Sequence, residues 1–125
     1  MVKNLLAVLI SSLLLIGISL YEIHYMEREF DKLTEQVQTL IDKTEEETAN
    51  IEDAKALKHS WDSVKETMHV WVPHNDLSSV DLVLNEAVGH LYEDNYRAAL
   101  PKLVVVLEQF KKIPSSYSLS LENIF

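Results

Sequence analysis

A chain of 125 residues with a net charge of −9 has room for one domain and a short appendage. With no cysteine, it excludes disulfide frameworks, thiolate metal sites and cysteine nucleophiles. Two glycines and three prolines leave few turn signals and favour long helices, so the expected class is all-α.

The first element is apolar. Leu5 to Tyr21, "LLAVLISSLLLIGISLY", carries no charge and rises about 25 Å as a helix, near the lower limit for a bilayer span. Tyr21 and Tyr25 fall where interfacial aromatics sit. A cleaved signal peptide is the competing reading, but the run is long and "ISLYEIHYM" offers no small-x-small cleavage site. Residues 1–21 are therefore expected to be an uncleaved transmembrane anchor in the cell membrane. Lys3 precedes the run and an acid-rich segment follows it, which favours a cytoplasmic N-terminus and an extracytoplasmic C-terminal domain. With Lys3 set aside, ten bases face twenty acids, a charge of −10 after the anchor. Such a module repels phosphate backbones, so nucleic acid is not an expected partner.

Past the anchor, Ile23, Met26, Phe30, Leu33, Val37 and Leu40 follow three-four spacing on one helix face. The stripe fades at Thr44 and Glu47. Residues 22–50 read as a stalk helix, with a loop near Thr48 to Asn50. The stripe has two uses: a parallel coiled-coil homodimer, or packing inside the chain's own bundle. Glu45 to Glu47 point in different directions on a helix and read as a solvated face, not a cation site.

Residues 51–125 read as a helical bundle domain. Ala54, Leu57, Trp61, Val64, Met68 and Trp71 form a second helical face that ends before Pro73. A third helix follows, capped by Asp76, Ser78 or Ser79, with Asp81 in its first turn and Val80, Leu84, Ala87, Val88 and Leu91 as its buried face. "YEDNY", Tyr92 to Tyr96, is a turn, with Asp94 or Asn95 capping a fourth helix through Lys112. The two helices make an αα-hairpin. Pro101 is expected to distort the fourth helix or delay its start. The tail from Pro114 keeps Leu119, Leu121, Ile124 and Phe125, and is expected to dock on the bundle.

No chemistry stands out. Five histidines lack the convergent spacing of a zinc site, and no Gly-x-Ser-x-Gly or glycine-rich phosphate loop is present. The chain is expected to be non-enzymatic and to hold neither metal nor cofactor. The most concentrated group of distinctive residues is Trp71, Pro73, His74, Asn75 and Asp76. As a corner it needs only Pro to stop one helix and Asn or Asp to satisfy turn amides. As a contact site it offers a rigid aromatic and a polar tip, and these are the candidate partner-contact residues.

Trp61 with Lys65, the corner Pro73-His74-Asn75-Asp76 and the terminus Ser120-Leu121-Glu122-Asn123-Ile124-Phe125 carry a resemblance. The chain is similar to a family of small bacterial single-pass membrane proteins that form a domain of unknown function. The resemblance extends over roughly Trp61 to Phe125, and over the anchor by type only. It implies no reaction, cofactor or substrate, and it marks the corner and the tail as characteristic features. The reading is thus a membrane-anchored accessory or scaffolding subunit of a bacterial envelope complex, binding another membrane protein. A small-ligand sensor ectodomain and a divisome-like coiled-coil protein are the alternatives.

Overall fold

The computed structural model describes residues 1–124 except Val70 and Trp71, and residues 116–124 by backbone alone. The described residues form four helices and no strand: α1 (Val2–Glu45), α2 (Ile51–Met68), α3 (His74–Tyr92) and α4 (Tyr96–Ile124). The all-α class and the αα-hairpin of α3 and α4 are as the sequence predicts.

α1 is one unbroken helix of 44 residues with two different lives. Its apolar N-terminal part touches almost nothing: Leu6, Leu13, Leu14 and Leu20 are all more than half exposed. From Met26 it becomes a wall of the bundle. Met26, Phe30, Leu33, Val37, Leu40 and Ile41 are buried, and Thr44 continues the stripe by turning its hydroxyl back to the Leu40 carbonyl at 2.7 Å. α1 packs on α2 and α4, and α3 packs on the same two neighbours, which gives a four-membered ring of helices. Side chains fill the middle. Phe30 meets Trp61 edge-on at 6.3 Å and Phe110 at 6.0 Å, while Trp61 and Phe110 are 5.4 Å apart across the ring. Trp61 is fully buried, and a truncation to Ala at such a site costs about 3–5 kcal/mol.

The helix ends are set by local chemistry. α1 stops where Glu47 takes a left-handed φ of 58° and Thr48 N–H donates to the Lys43 carbonyl at 2.8 Å. Asn50 then opens α2 with a capping box: its side chain accepts from Asp53 N–H at 2.9 Å, and Asp53 accepts from Asn50 N–H at 3.1 Å. That backbone donor holds the Asp53 carboxyl below the usual range; partial burial opposes it, and Lys43 at 3.2 Å adds to it. Asp94, with φ 56°, ends α3, and Asn95 caps α4 through Ala98 N–H at 3.2 Å.

Register places the ends of the bundle. Phe30 faces Trp61, and Lys43 faces Asp53, so α1 and α2 are antiparallel. Counting back along helices of equal rise sets Met68, the last residue of α2, level with about residues 23 to 28 of α1. Gln109 bonds Ser79 and Lys102 pairs with Glu86, so α3 and α4 are antiparallel as well. The α2–α3 corner therefore lies at the base of the bundle, where the apolar part of α1 leaves it. The α1–α2 and α3–α4 turns lie at the far end.

Of the two uses left open for the stripe of residues 22–50, the structure shows packing in the chain's own core. Two expectations change. α3 begins at His74, with Pro73 as its N-cap and no side-chain cap bond, so Ser78 and Ser79 are helical and Asp81 sits two turns in. α4 starts at Tyr96 and runs through Pro101 and Pro114 to Ile124. Arg97 and Phe110, four residues before each proline, lose an intrahelical donor to their carbonyls, and the neighbouring turns hold the helix. Whether the tail's side chains dock lies outside the described residues, as does the position of Trp71.

Candidate functional site

The described part of the corner, Val72 to Asp76, forms a ledge at the start of α3. Val72 is buried beneath it and its N–H donates to the Met68 carbonyl at 3.0 Å. The Pro73 carbonyl accepts from Asp76 N–H at 3.1 Å and Leu77 N–H at 3.3 Å, which starts α3 without help from a side chain. Pro73, His74, Asn75 and Asp76 are all exposed in that first turn. His74 Nε2 shares a hydrogen bond with Ser78 Oγ at 3.2 Å. The structure thus exposes four of the five sequence-predicted contact residues within one turn; the fifth, Trp71, is outside the described residues.

A clamp missed by the sequence reading holds the ledge in place. Asp81 on α3 accepts from Trp61 Nε1 at 2.7 Å, and Lys65 Nζ lies 3.2 and 3.1 Å from its two carboxylate oxygens. Trp61 and Lys65 are one turn apart on α2, so one carboxylate across the helix interface meets both. The signal in the sequence was the Trp-x-x-x-Lys spacing. The facing acid, twenty residues from Trp61, carries no local mark of its role. The Lys65–Asp81 pair is about one-third exposed on each side, and its work is to fix helix spacing above the corner.

Beside the ledge is a cleft. Asp76 and Ser79 of α3, with Gln109, Lys112 and Ile113 of α4, line a cavity of about 250 Å3. Gln109 Nε2 donates to Ser79 Oγ at 2.8 Å, while Gln109 Oε1 is enclosed and has no hydrogen-bond partner among the described residues. A larger hollow of about 570 Å3 runs along α1 beside Gly17, Tyr21 and Tyr25, but it is an open groove on the apolar segment. Among the described residues no group of His, Asp or Glu converges to hold a metal ion.

The architecture is a four-helix bundle continuous with one helix long and apolar enough to cross a membrane. The chain belongs to the family described as Domain of unknown function (DUF4363), whose model matches residues 18–124. That match takes in the whole bundle, the corner and the tail. No curated protein and no solved structure matches the chain.

Proposed function

We propose that the chain is a non-catalytic accessory or scaffolding subunit of a bacterial envelope complex, anchored in the cell membrane by α1. Its N-terminus is cytoplasmic and its bundle extracytoplasmic in this reading. The observation that carries it is the contrast within α1: an apolar half that is exposed among the described residues runs without a break into a half buried in a bundle. An exposed apolar helix needs lipid or another protein to cover it. The flanking charges, with Lys3 before the run and acids after it, support the orientation.

The partner in this reading is another membrane protein, and the contact is the corner Trp71 to Asp76. The register supports that choice, since the corner sits at the base of the bundle, level with the end of the apolar run. A membrane protein's extracytoplasmic rim lies at that height. The test is co-isolation of partners with the full chain from native membranes. Trp71→Ala with His74→Ala should lower partner recovery about tenfold or more, as loss of a contact centre does, with the helical circular dichroism unchanged. Full recovery with the double variant would count against the corner. Release of the chain by carbonate washing would count against the anchor.

A further inference from the structure

We propose that the end of α4 is a second membrane contact, a wedge that enters the lipid interface beside α1. The inference rests on the reading of α1 as a membrane anchor. Register is the first argument. The Gln109–Ser79 and Lys102–Glu86 contacts set His74, where α3 begins, level with about Pro114 of α4. α4 continues to Ile124, so it outruns α3 by about 15 Å. The Phe30–Phe110 contact sets Pro114 level with about Met26 of α1, Leu119 with about Tyr21 and Ile124 with about Ile16. α2 has already ended at Met68, so below the corner α1 and α4 are the two helices that go on. A kink of about 25° at Pro114 would shorten the descent by only about a tenth. On α1, Ser19, Glu22 and Ile23 are half-buried while Leu20 and Tyr21 are exposed, so its bundle-facing side stays sheltered at this height, as it is beside a second helix. From Leu119 to Ile124 the helix descends about 8 Å past the end of the apolar run, the depth at which interfacial helices seat.

Composition is the second argument, because the sequence of α4 changes character at the same height. Above Ile113 the helix carries Arg97, Lys102, Glu108, Lys111 and Lys112, whereas below it the only charged side chain is Glu122. Leu119, Leu121 and Ile124 belong to the stretch level with the apolar run of α1, and Phe125 follows them. Tyr117 is level with about Ile23, so it shares with Tyr21 and Tyr25 the height of interfacial aromatics. One neighbouring helix covers one side of α4, and apolar residues on the others are stabilised by lipid and not by water. Glu122 sets the limit of depth. A carboxylate is tolerated near the headgroups and costly at the bilayer centre, which makes this segment a wedge and not a second span.

The chain has no cysteine, so a single introduced cysteine takes a single nitroxide label. The test is spin labelling of the full chain in vesicles of phosphatidylethanolamine and phosphatidylglycerol, at Leu13→Cys, Glu93→Cys, Ser116→Cys and Ile124→Cys. Leu121→Cys repeats the Ile124 reading about one turn higher. Each label reports its collisions with oxygen, which concentrates in lipid, and with a nickel chelate, which stays in water. Labels at positions 13 and 124 should meet oxygen and not the chelate, and the label at position 93 should meet the chelate. The ratio of oxygen to chelate collisions should rise at least about threefold from position 116 to position 124, which lies about 12 Å deeper. A label at position 124 that is open to the chelate puts the end of α4 in water, and one shielded from both puts it against protein; either overturns the proposal. A label at position 13 open to the chelate overturns the anchor and the wedge with it. Lipid contact at position 13 without lipid contact at position 124 overturns the wedge alone.

Discussion

One carboxylate, Asp81, answers two donors on a neighbouring helix, and its loss would be felt by both. Trp61 Nε1 would stay buried without an acceptor and Lys65 would keep only the longer contact to Asp62, at 3.7 Å. Asp81→Ala should destabilise the full chain by about 2 kcal/mol, the cost of orphaning a donor plus a partly exposed ion pair. Asp81→Asn, which keeps an acceptor for Trp61, should cost about half as much. Denaturant titration followed by Trp fluorescence checks both. At this scale the sequence was legible where a residue acts on its neighbours. A break between the second and third helices before His74 and Asn95 capping α4 both follow from local backbone chemistry. The role of Asp81 was hidden, since it depends on which face of α3 meets α2.

Among the elements, α2 owes its start to the Asn50–Asp53 capping box, and that start is sensitive to acid. Because the Asp53 pKa is lowered by folding, its contribution is present above the unfolded value of about 3.9 and is lost as pH falls through the lower folded value. Asp53→Asn should therefore melt earlier than the parent chain at pH 7, by a margin worth about 1 kcal/mol. The two chains should converge in melts once the pH falls below the folded value. Helix identities were legible from three-four spacing, and the break after Glu45 came close to the predicted loop. The extent of α4 was not. A proline inside a helix removes one bond and adds one clash, and sequence reasoning treats that as a stop. Here Ala99, Leu103, Val106, Leu107, Phe110 and Ile113 are buried on both sides of Pro101, and that packing keeps the helix going.

For the whole molecule, the stripe on α1 was legible as a buried face, but a heptad pattern does not say whose surface covers it. The structure answers with the chain's own α2 and α4. Leu33 and Val37 are buried at 2% and 0% exposure, so cysteines placed there should give no intermolecular disulfide in folded protein under oxidant. A parallel stalk dimer would give one readily. The same topology turns the corner from an isolated motif into the base of the bundle, a placement that required the register of all four helices.

The central claim is that this base, and not the far end, meets a membrane partner. Photo-crosslinking in native membranes tests it most directly, with the probe at His74 and a control probe at Glu93 in the α3–α4 turn. The account predicts a discrete adduct from His74 and none from Glu93. No adduct from His74 in folded protein, or the same adduct from both positions, would contradict it.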